Sequence, residues 1–198
     1  PKPLVEIGGY PILWHVIRIY QAQGFRRFVL LTGYRGKQIE RFVQREAWPA
    51  GTEVCCVDTG LDTPTGGRLR KAASAIEGQS FCATYADAVA DIDLAALLAA
   101  HADHGAQATM TVVRPQLQFG VAELDGDNVV NGFVEKPKSE HWINGGFFCF
   151  ERSVLRQLRE TDVLERAPLE QLAAAGQLRA FPTRAFGIAW TRTRTRCC

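Results

Sequence analysis

Pro1-Lys2-Pro3 opens the chain with a lysine between two prolines. Each proline fixes its own φ and biases its predecessor toward extended geometry. The sequence therefore predicts an extended segment, not a helix, that presents a fixed ammonium suited to a phosphate. An ordinary proline-punctuated turn has the same composition. Thr63-Pro64-Thr65-Gly66-Gly67-Arg68 is the second feature. Adjacent glycines let backbone amides approach an anion, and a helix starting there adds partial positive charge. Arg68 in the first helical turn runs against the macrodipole, and a bound anion would explain it. A plain loop with a solvent-facing arginine is the alternative. Asp87 follows an apolar run and Tyr85. Its carboxylate suits Mg²⁺ on a phosphate substrate, which uses one or two protein carboxylates, while a local turn bond is the commoner use. Asp91-Ile92-Asp93 has metal-pair spacing but reads as helix capping. Glu135-Lys136 and Asn144-Gly145-Gly146 could hydrogen-bond hydroxyls and a phosphate, or form turns.

The elements that must position these groups alternate. Apolar residues at helical spacing between Gly9 and Gly24, with Pro11 near the start, predict a helix ended by glycine. Residues 28–32 form a continuous apolar run that suits a strand buried on both faces. Further helices are expected near 36–46, 67–76, 93–104, 154–159 and 169–175, and strands at 54–57, 81–85 and 147–150. An irregular β region runs from 109 to 134, with a turn at Asp125-Gly126-Asp127-Asn128. Strands alternating with helices imply an α/β fold: a mostly parallel twisted sheet flanked by helices, with a small antiparallel β region. Sites in such sheets lie at the carboxyl ends of strands. That rule selects Thr32-Gly33, Asp58-Thr59-Gly60 and Tyr85-Ala86-Asp87.

The 198 residues suit one domain with a sizeable core. A net charge of +2 gives no case for a nucleic-acid or membrane partner, since Arg192, Arg194 and Arg196 alone outweigh that excess. No apolar run reaches the length of a bilayer span. The six cysteines show no zinc spacing, and four of them (Cys55, Cys56, Cys82, Cys149) lie in apolar strand-like runs, as reduced buried thiols of a cytoplasmic protein would. His15, His101, His104 and His141 lack ligand spacing and take no role.

In order, PKPLVEIGGYPILWH, TGYRG, VDTGLDTPTGGRL, TYADAVADIDL, EKPK and INGGFF resemble the sugar nucleotidyltransferases, most nearly their glucose-1-phosphate cytidylyltransferase branch, from Pro1 to about Thr183. The resemblance implies a Rossmann-like enzyme of nucleotide-sugar biosynthesis. It would join CTP to glucose 1-phosphate, use Mg²⁺ and form a homo-oligomer. By similarity, Lys2, Arg68 and Asp87 are the catalytic group, with Asp87 on the metal. Thr63, Thr65, Gly66, Gly67 and Ala86 surround the nucleotide, and Glu135, Lys136, Asn144 and Gly145 hold the sugar phosphate. A related transferase using UTP, dTTP or GTP, or a non-catalytic sugar-nucleotide-binding protein, is the alternative.

Three departures accompany the resemblance. The family's opening strand and G-G-x-G-T-R loop are absent, so residues 1–184 read as a domain incomplete at its N-terminus. Ala86-Asp87-Ala88 stands where the family has Gly-Asp-Gly; two methyl groups narrow the backbone approach or demand negative φ. The family's late G-F-W-x-x-M-D-T motif is missing in frame. Codons for residues 185–198, read one nucleotide upstream, permit that motif. The tail is therefore expected to be out of frame after about Arg184, and the chain as written to bind nucleotide weakly and turn over little.

Overall fold

The computed structural model describes residues 1–183 and 187–189. One turn of 3₁₀ helix at Lys2–Leu4 comes first. It corrects the extended segment expected there. The turn is closed by the N–H groups of Leu4 and Val5, on the carbonyls of Pro1 and Lys2 (both 3.0 Å). Neither donor is a proline, and proline's φ suits a helical turn.

The remaining elements run β1 (Glu6–Ile7), β2 (Tyr10–Pro11), α1 (Ile12–Ala22), β3 (Arg27–Thr32), α2 (Gly36–Arg45), β4 (Glu53–Asp58), α3 (Thr65–Lys71) and β5 (Ser80–Thr84). Then come β6 (Ala88–Ala90), α4 (Leu94–His104), β7 (Ala108–Val113), β8 (Val121–Leu124), β9 (Val130–Val134), β10 (Ile143–Glu151), α5 (Val154–Gln157), α6 (Ala167–Ala174), β11 (Leu178–Pro182) and β12 (Gly187–Ala189). The α/β expectation holds, with a mixed sheet. Its centre has the order β11-β7-β10-β5; β11 runs parallel to β7, while β10 is antiparallel to both β7 and β5.

Residues on β10 decide where the core sits. Phe148 and Phe150 face one way and pack with Leu69, Leu155, Leu164, Leu169 and Leu172. Phe147 and Cys149 face the other way, onto Ile12, Val16, Tyr20, Leu94 and Leu97. Alternation with both faces apolar requires a covering layer on each side. α1 and α4 supply one, and α3, α5 and α6 the other. Ile12, Leu13, Val16, Ile17 and Tyr20 form one buried stripe on α1. Asp93 caps α4 by accepting from the Ala96 N–H at 2.8 Å, as its sequence position suggested.

β3 pairs in parallel with β4. Its residues 28–31 are half-buried, not fully covered as expected. The physical reason is a cavity of about 510 Å³ between β3 and β5, lined by Val29, Leu31, Phe81 and Ala83 among others. Arg27 at the start of β3 forms an ion pair with Glu77, just ahead of β5. At the other end, Thr32 and Ala86 line the same cavity. The two strands thus present their carboxyl ends to a common rim.

Asn144 and Gly145, open to a turn reading in the sequence, lie within β10. The register shifts between Asn144 and Phe148, with φ of 81° at Gly146. β8 and β9 form an exposed hairpin whose turn uses Asp125 Oδ1 to accept from Asp127 and Val129 N–H. β11 had no clear signal and is held by parallel pairing with β7. Within the stretch assigned to an aberrant tail, Gly187–Ala189 pair antiparallel with β6. Residues 184–186 and 190–198, with Arg192, Arg194, Arg196, Cys197 and Cys198, lie outside the described residues.

Candidate active site

Lys2 and Asp87 meet. Lys2 Nζ lies 3.8 Å from Asp87 Oδ2, with side chains 53% and 36% exposed. Their neighbours Pro3 and Ala86 line the cavity between β3 and β5, together with Thr65 and Arg68. The lysine, the carboxylate and the start of α3 therefore share one mouth at the strand ends, where open α/β sheets bind ligands. Ala86 is not among the non-glycine residues with positive φ (Arg35, Asn128 and Lys136), so it takes the negative φ that its methyl group requires.

The start of α3 is built differently from the sequence reading. Gly67 N–H donates to the Asp162 carbonyl at 3.0 Å, so that amide is not offered to an anion. A Cβ on Gly66 would come within 2.8 Å of the same carbonyl, and one on Gly67 would meet the Glu160 carbonyl. The two glycines are present because residues 160–162 cross the helix at close range. Arg68 is likewise anchored. Its Nη1 donates to the Thr32 carbonyl (2.8 Å) and to Thr59 Oγ1 (2.5 Å), and Nη2 donates to the Leu61 carbonyl (3.2 Å). Three of the five guanidinium donors are thus held by the protein, and these acceptors account for an arginine at that helical position without a bound anion. Thr63 Oγ1 donates to the Thr59 carbonyl and accepts from Lys71 Nζ. Lys71, missed by the sequence reading, also donates to the Thr59 carbonyl at 3.1 Å.

A hydroxyl–carboxylate chain joins this helix to β5. Thr65 Oγ1 donates to Glu165 Oε2 at 2.6 Å and accepts from Leu164 N–H at 2.9 Å. Tyr85 donates to the other oxygen, Glu165 Oε1, at 2.5 Å. Burial and then the Glu165 bond push the Tyr85 phenol well above its ordinary value, so it remains a donor. Asn144 Nδ2 reaches Tyr85 Oη at 3.4 Å, while Asn144 Oδ1 accepts from Gly146 N–H at 2.7 Å. A Cβ on Gly145 would come 2.7 Å from Thr111 Oγ1, so close strand packing explains that glycine. Asn144 is brought to the site. Glu135 and Lys136 pair with each other at 3.7 Å, and the Lys136 carbonyl accepts from Gln116; these bonds stay on the β8–β9 side of the molecule. Glu165 carried no signal in the sequence, being one acidic residue among many and 80 positions from Tyr85.

Among the described residues, no three His, Cys, Asp or Glu side chains cluster as metal ligands. Asp87 offers one partly exposed carboxylate. That donor set fits a Mg²⁺ whose other ligands, phosphate oxygens and water, arrive with a nucleotide. No helix among the described residues is long and apolar enough to cross a membrane.

The protein is 36% identical to a glucose-1-phosphate cytidylyltransferase of Salmonella typhi, over 91% of this chain and 79% of that one. It is 35% identical to a probable glucose-1-phosphate cytidylyltransferase of Bacillus subtilis, over 98% of this chain and 84% of that one. The crystal structure of HddC from Yersinia pseudotuberculosis shares the fold, with a TM-score of 0.74 at 24% identity, over 96% of this chain and 84% of that one. The nucleotidyl transferase family model matches residues 1–178, and the chain belongs to that family.

Proposed function

We propose that this protein transfers the cytidylyl group of CTP to glucose 1-phosphate, giving CDP-glucose and pyrophosphate. The observation that carries the reading is the approach of Lys2 and Asp87 to 3.8 Å beside the start of α3. The identity to enzymes named for this reaction supports the choice of substrates. The sugar-phosphate oxygen attacks the α-phosphorus in line as pyrophosphate leaves, so positioning and charge neutralisation dominate over acid–base chemistry. Lys2 neutralises the α-phosphate from a short, half-exposed turn. Asp87 would hold the Mg²⁺, which supplies positive charge to the triphosphate. Ala86 and Thr65 border the nucleotide, and Arg68 with Thr63 fixes the loop beneath it. Asn144, beside Tyr85, and Gly145 border the sugar phosphate; Glu135 and Lys136 complete that side if the β8–β9 arm folds over it. The active form is a cytoplasmic homo-oligomer.

Pyrophosphate release with CTP, UTP, dTTP or GTP plus glucose 1-phosphate, measured on a version carrying the opening G-G-x-G-T-R loop and the in-frame G-F-W-x-x-M-D-T motif, tests the reading. Release with CTP alone is expected. Release with another nucleotide moves the assignment to that transferase. Saturable nucleotide binding with no release from any pair makes this a sugar-nucleotide-binding protein instead.

A further inference from the structure

Glu165 lies just ahead of α6, 100 positions from Thr65 and 80 from Tyr85. Each of its carboxylate oxygens takes one hydroxyl, at 2.6 Å and 2.5 Å. The two hydroxyls belong to different elements, the first residue of α3 and the residue after β5. Asp87 stands two residues beyond Tyr85, and the start of α3 borders the same cavity. Thr65 also accepts from Leu164 N–H, so the carboxylate is held in place by the segment that carries it. A carboxylate bonded twice, and half-buried, is a rigid link, because hydrogen bonds to charged acceptors are shorter and stronger than neutral ones.

We propose that Glu165 is a positioning residue of the site: by bridging Thr65 and Tyr85 it sets the carboxylate-bearing end of β5 against the start of α3, and so fixes the place of Asp87 relative to the nucleotide. The inference rests on the nucleotidyl-transfer reading for its purpose, but not for its geometry. Tyr85 carries the effect further, since its oxygen also receives Asn144 Nδ2. One carboxylate therefore orders groups on α3, β5 and β10.

Two measurements on the full chain test this. In hydrogen exchange, Glu165→Ala is expected to speed the amides of residues 65–67 and 85–87 together, by about ten-fold, while α1 and α4 keep the parent's rates. Glu165→Gln keeps an oxygen for the Tyr85 hydroxyl and a donor for Thr65, and is expected to stay within about three-fold. Acceleration confined to residues 160–166, or spread evenly over the chain with a lower melting point, overturns the proposal. The second measurement is CTP binding in Mg²⁺. Glu165→Ala is expected to weaken it about ten-fold and Glu165→Gln less than about three-fold, whereas equal losses, or none, overturn the positioning role. If the parent chain binds no CTP, the nucleotidyl-transfer reading fails, and the exchange result still decides whether Glu165 is the link.

Discussion

The two sides of the cavity mouth treat their polar groups in opposite ways. On the α3 side, Thr59, Thr63, Thr65, Arg68 and Lys71 are all bonded to protein acceptors. On the β5 side Tyr85 is committed to Glu165, but among the described residues Lys2 and Asp87 are paired only with each other, at 3.8 Å and partly exposed. Groups committed to internal carbonyls build shape, and groups left half in water keep the freedom to exchange a protein partner for a ligand. Arg68 and Lys2, both cations expected to meet phosphate, therefore stand on opposite sides of that division.

Substitutions can break or sharpen the contrast. The largest separation is expected between Lys2→Ala and Arg68→Ala. In the version that carries the opening loop and in-frame motif, Lys2→Ala should slow pyrophosphate release by about 100-fold or more, yet change the unfolding free energy by less than about 0.5 kcal/mol, as exposed pairs do. Arg68→Ala should cost about 2–3 kcal/mol of stability, because three guanidinium bonds are lost at once, to the Thr32 and Leu61 carbonyls and to Thr59 Oγ1. Equal stability losses for the two would erase the distinction. Gly67→Ala comes next: although alanine favours helices, its Cβ meets the Glu160 carbonyl, and a net loss of about 1–3 kcal/mol is expected in chemical denaturation. Tyr85→Phe removes one bond to a charged acceptor and should cost about 1–2 kcal/mol.

A second committed network gives a pH test away from the mouth. His104 Nδ1 accepts from Ala106 N–H at 3.0 Å, so its proton sits on Nε2, which faces Thr109 Oγ1 at 2.8 Å. Thr109 then donates to His101 Nδ1 at 2.7 Å, and the Glu151 carboxylate lies 3.2 Å from His101 Nε2. Burial, its largest cause, holds His101 below the ordinary imidazole value. A depressed histidine binds fewer protons folded than unfolded. Its contribution to stability is therefore fully present above about pH 6.5 and is lost as pH falls from there through the folded value. Urea midpoints should drop over that window in the parent chain and less in His101→Gln. The smallest effect belongs to the Lys2–Asp87 pair itself. Raising salt from about 0.05 to 1 M should change stability by less than about 1 kcal/mol through this contact, because an exposed pair is screened.

Much of this architecture was legible in the chain. Apolar residues at 12, 13, 16, 17 and 20 specify α1 by period, and Asp93 announces the start of α4. The prolines around Lys2 misled, because a 3₁₀ turn asks for N–H groups only at its end, where Leu4 and Val5 supply them. Gly67 also misled: a glycine pair before a helix reads as an anion cradle, yet here the Gly67 amide donates to the Asp162 carbonyl and both glycines make room for residues some ninety-five positions away. β11 was missed, since Leu178-Arg179-Ala180-Phe181-Pro182 alternates only weakly and becomes a strand through its pairing with β7.

By itself the sequence determined the alternation of helices and strands and the apolar run of β10, because periodicity and composition are local properties, while the resemblance of its motifs nominated Lys2 and Asp87. Only the tertiary structure decided which charged groups are free. That outcome depends on acceptors such as Thr32, Asp162 and Glu165, which are distant along the chain and meet their donors only after the layers have packed.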